Sequence, residues 1–395
     1  MNDSKSLHSP AGRAVAQSVR DVPRSGIRDF FDIVTTMDDV ISLGIGEPDF
    51  VTPWHIREHA IYALERGVTS YTSNLGMPSL RKALAAYVER MFGLAYCPER
   101  EILITVGVSE ALDLAVRAIT NPGDEIIYHE PCYVSYRPMI SMAHALPVAI
   151  ETSAEHHFRI TPDALSAAIT DKSKALILNY PNNPTGAFLP ADEAQAIAQL
   201  AVKHDLIVIA DEIYAELTYD NKHVSIASFP GMQERTIFLH GFSKAWAMTG
   251  FRLGYSCAPP ELTEAMMKIH QYSMLCAPSL SQEAAIEALK TPDEDIAEMK
   301  RSYDKRRNYI HQGLNNIGIP CFKPEGAFYA FPDISAYGLS SYDFAMKLLE
   351  QKKVACVPGT AFGDCGEGFL RCSYATSMEE IKLAVKYIGE FVADI

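Results

Sequence analysis

The stretch "KALILNYPNNPTGAFLPADEAQAIAQLAVKHDLIVIADEIY" (residues 174–214) decides the fold. It starts with a short aliphatic run, turns through a Pro- and Gly-containing segment into a helix-length amphipathic stretch, and ends in a second aliphatic run. Short continuous apolar runs are typical of strands buried on both faces of a parallel sheet. The stretch therefore predicts a strand–helix–strand unit of an α/β protein.

The same alternation extends from about residue 100 to residue 260. Helix-length segments such as "SEALDLAVRAI" separate short runs of β-branched or aliphatic residues. Six runs predict strands: "EILITV" (101–106), "DEIIYHE" (124–130), "KALILNY" (174–180), "LIVIADEIY" (206–214), "RTIFLHGF" (235–242) and "LGYSCAP" (253–259). We expect a mainly parallel sheet sandwiched by helices.

A second unit follows the predicted sheet. The segment "TPDEDIAEMKRSYDKRRNYIHQGLNNIG" (291–318) predicts one long helix that leads out of it. A strand in "GAFYAFPDI", a helix near "SYDFAMKLLEQKK", a strand in "VACVP" and a closing helix come next. A chain of 395 residues suggests more than one compact core. We expect a large domain at residues 46–292 and a smaller α/β domain built from residues 1–45 and 293–395.

Composition and charge exclude several classes of function. The chain contains 35 basic and 49 acidic residues, and its net charge of −14 has the wrong sign for binding nucleic acid. No run of residues is apolar enough for a membrane span, and the N-terminus lacks the apolar centre of a secretory signal. The eight cysteines have no metal-ligand spacing. We expect a cytoplasmic protein without a structural metal.

The turn "VGVSEAL" (106–112) leads from a predicted strand into a predicted helix. The backbone N–H groups of Gly107, Val108 and Ser109, with the Ser109 hydroxyl, would form an anion site at the helix N-terminus. Glycine and serine are also ordinary capping residues at such a turn. Neither a G-x-G-x-x-G fingerprint nor a phosphate-binding G-x-x-x-x-G-K-[ST] loop occurs, so a nicotinamide or nucleoside triphosphate site is poorly supported.

Three polar side chains follow the predicted strands of the opening stretch. Asn183 lies in the turn after the first strand, and Asp211 and Tyr214 lie at the end of the second. Open α/β sheets bind ligands at the carboxyl ends of their strands. A carboxylate after five apolar residues is costly to bury unless a cation or hydrogen-bond donors face it. We therefore expect a positively charged ligand group beside Asp211.

The stretch "GFSKAWAMTGFRLGY" (241–255) sets Lys244 among small and apolar residues. A single lysine is usually a solvated surface charge. Together with the preceding positions, however, the pattern describes a ligand with a phosphate, a basic ring nitrogen, an acidic ring oxygen and an aldehyde, which is pyridoxal phosphate. Ser243 and Arg252 would join the glycine turn on the phosphate. Lys244 would form the Schiff base with the aldehyde.

The remaining polar side chains would then contact the ring of the cofactor. Asp211 would pair with the pyridine nitrogen and keep it protonated, so that the ring can accept electrons from the substrate α-carbon. Asn183 and Tyr214 would hydrogen-bond to the ring oxygen and stabilise its anion. We predict Lys244, Asp211 and Tyr214 as catalytic residues.

With these residues in place, the chain resembles the class I/II aminotransferases of the fold type I pyridoxal phosphate-dependent enzymes, particularly their microbial aspartate/aromatic-type branch. The resemblance runs nearly end to end. It rests on the motifs "ISLGIGEPDF" (41–50), "YTSNLGMPSLRKAL" (71–84), "PNNPTG", "DEIY", "SKAWAMTGFRLGY", "KPEGAFYAFPDI" and "VPGTAFGDCGEGFLRCSYA" (357–375). It implies an aspartate aminotransferase-like fold with a large domain of the seven-stranded type.

The resemblance also implies roles that spacing alone does not give. Arg371 is expected to bind the substrate α-carboxylate, with Gly46 and Asn183 also at the substrate. Tyr133 occupies the position whose ring stacks on the cofactor. Tyr71 is expected to reach the phosphate bound to the neighbouring subunit, which implies a homodimer with shared active sites.

The implied reaction moves an amino group from an L-amino acid to a 2-oxo acid such as 2-oxoglutarate. We expect aromatic or broad specificity, with aspartate as the rival donor. Arg13, Arg20, Arg24 and Arg28 lie in the N-terminal segment that borders the substrate in relatives, and any or none of them could face it. Two alternatives stay open: a carbon–sulfur β-lyase that shares the cofactor residues, and a non-catalytic regulator built on the same fold.

Overall fold

The computed structural model describes residues 9–20, 22, 34 and 37–395. Their strands are β1 (Ile41–Ser42), β2 (Ile102–Thr105), β3 (Glu125–Glu130), β4 (Leu146–Glu151), β5 (Ser173–Asn179), β6 (Ile207–Asp211), β7 (Thr236–Gly241), β8 (Gly254–Cys257), β9 (Tyr329–Ala330), β10 (Val354–Ala355), β11 (Val357–Pro358) and β12 (Leu370–Ser373).

The α-helices of the same residues are α1 (Pro10–Ala14), α2 (Gln17–Arg20), α3 (Trp54–Glu65), α4 (Pro78–Phe92), α5 (Gly107–Ile119), α6 (Tyr136–Met142), α7 (Pro162–Ala168), α8 (Ala191–Lys203), α9 (Pro260–Ser273), α10 (Ser279–Ala288), α11 (Pro292–Asn316), α12 (Ser341–Lys352) and α13 (Met378–Asp394). Within the described ranges, none of them combines the length and the apolar character that a bilayer span requires.

A seven-stranded sheet in the order β2-β8-β7-β6-β5-β3-β4 forms the centre of the fold. The strands from β4 to β7 pair in parallel, whereas β8 is antiparallel to both β7 and β2. The predicted mainly parallel sheet is therefore confirmed. The alternating pattern predicts six strands and misses β4, because β4 is an edge strand whose Leu146 is exposed and whose sequence contains Pro147.

Alternate residues of the central strands pack against helices on opposite faces of the sheet. Leu176 and Val208 belong to a core cluster with residues of α8, while their neighbours Ile177 and Ile209 belong to one with residues of α5. All four side chains are fully buried. This double burial explains why β5 and β6 appear in the sequence as continuous apolar runs.

Strand β1 and the residues after α10 form a second unit around two small sheets. Strand β1 pairs in parallel with β10, and β11, β12 and β9 form an antiparallel sheet. The predicted strand in "VACVP" is divided at Cys356, because β10 pairs with β1 and β11 with β12. The strand predicted in "GAFYAFPDI" is limited to Tyr329–Ala330, while the predicted long helix is α11. The domain boundaries at residues 46 and 293 stay a prediction.

Local interactions define where helices α5 and α13 begin. Gly107 has a φ of +75°, which lets the chain turn from β2 directly into α5. Helix α13 begins with a capping box in which the Ser377 hydroxyl accepts from the Glu380 N–H and the Glu380 carboxylate accepts from the Ser377 N–H. The first of these turns places an open helix N-terminus at the edge of the sheet.

Candidate active site

One cavity of about 530 Å³ lies where the parallel strands end. The loops after β2, β5, β6 and β7 all contribute to its wall, as expected for the carboxyl edge of an α/β sheet. The predicted site residues that line it are Gly46, Val108, Ser109, Tyr133, Asn183, Asp211, Tyr214, Ser243, Lys244, Arg252 and Arg371. The structure thus gathers residues from across the chain around one space.

Lys244 lies in this cavity and is only partly exposed. Its Nζ donates a 2.7 Å hydrogen bond to the carbonyl oxygen of Gly46. Burial lowers the pKa of Lys244 to about 8, and the positive charges of Arg371 and Arg252 act in the same direction, while Glu47 opposes them. The amine is therefore far more often neutral near neutral pH than an ordinary lysine, and a neutral amine is nucleophilic.

Asp211 ends β6 and is 5% exposed. Its Oδ2 accepts a 2.7 Å hydrogen bond from the Tyr136 hydroxyl, and its backbone oxygen accepts a 2.9 Å bond from Nδ2 of Asn179. Burial raises the pKa of the Asp211 carboxyl to about 6 despite the bond from Tyr136. A cation beside this carboxylate would restore its ionised form, and the protonated ring nitrogen of pyridoxal phosphate is such a cation.

Several groups that could hold an anion meet at the N-terminus of α5. Val108 and Ser109 in its first turn and Ser243 after β7 line the cavity together with Arg252. A Cβ built on Gly107 would come 2.8 Å from Nη2 of Arg252, so the guanidinium lies directly against this turn. The helix dipole and the arginine together favour a phosphate at this place.

Arg371 also lines the cavity and is 3% exposed. Its Nη1 donates to Oδ1 of Asn183 at 3.1 Å, and its Nη2 donates to the carbonyl oxygen of Gly44 at 2.6 Å. Its Cζ lies 4.7 Å from the ring centre of Tyr329 and 4.8 Å from that of Phe362. These partners are neutral, so a carboxylate ligand would neutralise the buried charge.

Three tyrosines were predicted around the cofactor. Tyr214 is buried, and its hydroxyl oxygen lies 2.9 Å from that of Tyr329. Tyr133 lines the cavity and packs edge-on against Tyr136, with ring centres 5.8 Å apart. Tyr71 lies outside the cavity wall and is 83% exposed. That exposure is compatible with the prediction that Tyr71 serves a neighbouring subunit.

Sequence reasoning missed several residues around the cavity. Tyr136 follows Tyr133 by three positions in "PCYVSYRP" and begins α6, so it could have been found as a second tyrosine on the same turn. Tyr329 lies in the motif "GAFYAF", but the sequence carried no signal of its contacts. Besides Tyr329, the lining residues that were not predicted are Ile45, Leu112, Asn179, Ile213 and Thr249.

The N-terminal arginines are placed only in part. Arg13 lies in the last turn of α1. Nη2 of Arg20 donates a 2.9 Å hydrogen bond to the carbonyl oxygen of Val15, which also belongs to the N-terminal segment. Neither lines the cavity. Arg24 and Arg28 lie outside the described residues.

The fold and the site together define a class of protein. A partly buried lysine with a lowered pKa, a buried carboxylate, and an arginine at a helix N-terminus surround one cavity at the edge of a mainly parallel sheet. These donors and charges fit the aldehyde, the ring nitrogen and the phosphate of pyridoxal phosphate, which makes this a pyridoxal phosphate-dependent enzyme with an aspartate aminotransferase-like fold.

The chain belongs to the family "Aminotransferase class I and II", whose sequence pattern it matches over residues 38–388. YugH of Bacillus subtilis (strain 168), a protein named as an aminotransferase, is 53% identical over 95% of this chain and 97% of its own. An aspartate aminotransferase of Pyrococcus abyssi (strain GE5 / Orsay) is 46% identical over 91% of this chain and 94% of its own.

A solved structure extends the comparison to the fold. The aromatic aminotransferase from Pyrococcus horikoshii OT3 superposes with a TM-score of 0.89 at 42% identity, over 93% of this chain and 99% of that one. The predicted fold and family are confirmed, and the protein is a pyridoxal phosphate-dependent aminotransferase that acts on amino and 2-oxo acids. Because the family is enzymatic, the alternative of a non-catalytic regulator is wrong.

Proposed function

We propose that this aminotransferase uses aromatic and other L-amino acids as donors, with aspartate as a further donor, and a 2-oxo acid such as 2-oxoglutarate as acceptor. The observation that carries the proposal is the arrangement of charges in the cavity. Arg252 lies against the turn at Gly107, whereas Arg371 hydrogen-bonds to Asn183 and Gly44. Lys244 and Asp211 line the same space. Arg252 binds the phosphate, Arg371 binds the substrate carboxylate, and Lys244 takes part in the reaction itself.

Residues at the edge of the seven-stranded sheet hold the cofactor. Arg252, Ser243 and the first turn of α5 bind the phosphate, because a helix N-terminus and a guanidinium both favour a dianion. Asp211 binds the ring nitrogen, and the hydrogen bond from Tyr136 holds the carboxylate in place. When bound, pyridoxal phosphate supplies an electron sink for the negative charge that develops at the substrate α-carbon. Tyr133, which lines the cavity, would pack on the ring.

Lys244 moves the proton. Its pKa of about 8 leaves part of the amine neutral near neutral pH, and a neutral amine can accept the proton from the substrate α-carbon and later return one. Tyr214 and Asn183 would hydrogen-bond to the ring oxygen of the cofactor. Asn183 would thereby connect the cofactor to the residue that binds the substrate, since its Oδ1 accepts from Arg371.

Arg371 binds the α-carboxylate of the substrate. Its planar guanidinium can donate two parallel hydrogen bonds to the two carboxylate oxygens, a geometry that lysine cannot provide. The donor and the acceptor substrate share this carboxylate, so the same residue serves both halves of the reaction.

The other residues that line the cavity favour a substrate with an apolar side chain. Ile45, Leu112 and Ile213 line the cavity, and among the described residues its lining contains no lysine or arginine besides the three cations discussed above. Within the part of the chain that the structure describes, a distal carboxylate, as in aspartate, would meet no further cation in this lining. The names of the relatives include both aspartate and aromatic aminotransferases, which supports a site that accepts both kinds of donor.

An exposed apolar surface supports a homodimer. Tyr71 and Tyr272 are 83% and 88% exposed, and Met274 and Leu275 are also exposed. The backbone oxygen of Leu275 accepts a 2.8 Å hydrogen bond from Nδ2 of Asn74, which ties the loop of Tyr71 to the end of α9. Clustered exposed apolar residues are typical of protein interfaces. We infer that this face packs against a second copy and that Tyr71 reaches the partner's phosphate site.

We also infer a cytoplasmic location. All eight cysteines are free, including five that are buried. Free thiols persist in reducing compartments, whereas secreted proteins commonly use cysteines in disulfides.

A half-reaction tests the proposed function. The purified, cofactor-loaded enzyme is mixed with phenylalanine, tyrosine, aspartate, alanine or cystathionine, and the visible absorbance and the products are followed. We expect loss of the visible band with one equivalent of 2-oxo acid per site, fastest for the aromatic donors. Release of pyruvate and ammonia with return of the band would instead identify the β-lyase reaction.

A further inference from the structure

Tyr329 connects the two halves of the proposed site. It lies in β9 and is 1% exposed, and it lines the cavity. Strand β9 pairs with β12 so that Tyr329 lies opposite Ser373, two residues after Arg371. Its hydroxyl oxygen lies 2.9 Å from that of Tyr214, and its ring centre lies 4.7 Å from Cζ of Arg371. One side chain therefore contacts both a cofactor-binding and a substrate-binding residue.

The direction of the hydrogen bond follows from the number of protons. A phenol has one proton to donate but can accept through its oxygen. In the proposed function, which this inference rests on, Tyr214 donates its proton to the ring oxygen of the cofactor. Tyr214 must then accept from Tyr329, and a donor that itself accepts a hydrogen bond is strengthened.

The ring of Tyr329 acts on Arg371. Phe362 lies 4.8 Å from the guanidinium carbon and Tyr329 lies 4.7 Å from it, so two aromatic rings surround a buried cation. Aromatic faces attract cations, and the attraction grows when water is excluded. The two rings therefore help to fix the guanidinium plane that the substrate carboxylate must meet.

The hydroxyl of Tyr329 also explains why residue 46 is glycine. A Cβ built on Gly46 would come 2.5 Å from this oxygen, closer than real Cβ atoms approach. The carbonyl oxygen of Gly46 accepts from Lys244. Tyr329 thus packs against the segment that contacts the reactive lysine.

We propose that Tyr329 is a positioning residue, which donates its hydroxyl proton to Tyr214 and supports Arg371 with its ring. The two functions reside in different atoms of one side chain. They can therefore be removed separately, the hydroxyl in Tyr329→Phe and the aromatic ring in Tyr329→Leu.

Two properties of the cofactor-loaded enzyme are measured for each variant. The first is the pKa of the visible spectral transition of the cofactor, and the second is the dissociation constant of 3-phenylpropionate, an unreactive carboxylate. Tyr96→Phe is the matched control, because Tyr96 is buried outside the cavity and its hydroxyl has no hydrogen-bond partner among the described residues. Thermal unfolding of each variant checks that it folds.

Tyr329→Phe is expected to raise the spectral pKa by roughly half to one pH unit, because the anion of the ring oxygen loses stabilisation through Tyr214. It should leave the dissociation constant of 3-phenylpropionate within about twofold of the wild type. Tyr329→Leu should also weaken binding of 3-phenylpropionate by about tenfold. Tyr96→Phe should change neither property.

A double variant tests whether the hydroxyl acts through Tyr214. In a Tyr214→Phe background, adding Tyr329→Phe should no longer shift the spectral pKa. A shift that persists in this background, or its absence in the single variant Tyr329→Phe, would overturn the inference alone. A wild-type protein without a visible cofactor band would overturn the proposed function and this inference with it.

Discussion

Arg371 donates a 3.1 Å hydrogen bond from Nη1 to Oδ1 of Asn183, across 188 positions of the sequence. The bond joins the second residue of β12 to the loop that follows β5. In the proposed function it links the group that binds the substrate carboxylate to a group that binds the cofactor. The amide therefore helps to orient the guanidinium before substrate binds.

The first prediction concerns this guanidinium. Arg371→Lys should lower kcat/KM by about 10²-fold, mainly through a higher KM, because an ammonium cannot form the paired hydrogen bonds to a carboxylate. Steady-state kinetics with the best donor measure the change. Arg235→Lys, outside the cavity, should have no effect. Equal kinetics of Arg371→Lys and the wild type would show that another residue binds the carboxylate.

The second prediction concerns Gly107 in the proposed phosphate site. Gly107→Ala should raise the dissociation constant of pyridoxal phosphate at least about tenfold, because the new Cβ would displace Arg252 in addition to straining a backbone with positive φ. Gly123→Ala is the control, since Gly123 also has a positive φ but no atom lies within 4 Å of the added Cβ. Similar cofactor affinity in the two variants would argue against a phosphate at α5.

The third prediction is a pH dependence. Burial raises the pKa of Asp211 to about 6 in the ligand-free protein. Above this pH the carboxylate is charged and can pair with the ring nitrogen, whereas below it the neutral acid cannot. Cofactor affinity of the wild type should therefore fall, relative to that of Asp211→Asn, as the pH drops through about 6.

Titration of both proteins with pyridoxal phosphate gives the ratio of their dissociation constants at each pH. The ratio removes the ionisation of the phosphate, which affects both proteins alike. A ratio that does not change between acid and neutral pH would mean that Asp211 does not bind the ring nitrogen.

The fourth prediction concerns the partner subunit. If Tyr71 completes the site of the other subunit, Tyr71→Ala and Lys244→Ala should complement each other in mixed dimers. Each hybrid has one site with both native residues, so an equal mixture after subunit exchange should reach about a quarter of wild-type activity when Tyr71→Ala alone is nearly inactive. No gain over the separate variants would place Tyr71 in its own subunit's site or outside both.

The central strands of the seven-stranded sheet could be predicted, because burial on both faces makes their sequences continuously apolar. Residues 176 and 177 of β5 face opposite core clusters, and both are apolar for that reason. Edge strand β4 could not be predicted in this way, since Leu146 and Ala149 are exposed. Its apolar pattern is therefore too weak to distinguish it from a loop.

Candidate site residues could be predicted where a polar residue or a glycine stands at the end of a predicted strand or at the start of a predicted helix. Asp211 follows an apolar strand and Gly107 begins a helix, and both signals are local. The contacts of Tyr329 with Tyr214 and Arg371 are not local, because they form when β9 and β12 pair and pack against the loop after β6. No spacing along the chain contains that information.

The central claim is that Lys244 binds the cofactor covalently, and reductive labelling tests it most directly. The cofactor-loaded protein is treated with borohydride and digested, and the peptides are analysed by mass spectrometry. We predict one pyridoxyl group per chain, on the peptide that contains Lys244, and a folded but inactive Lys244→Ala variant without the label. A label on a different lysine, or normal turnover by Lys244→Ala, would contradict the account.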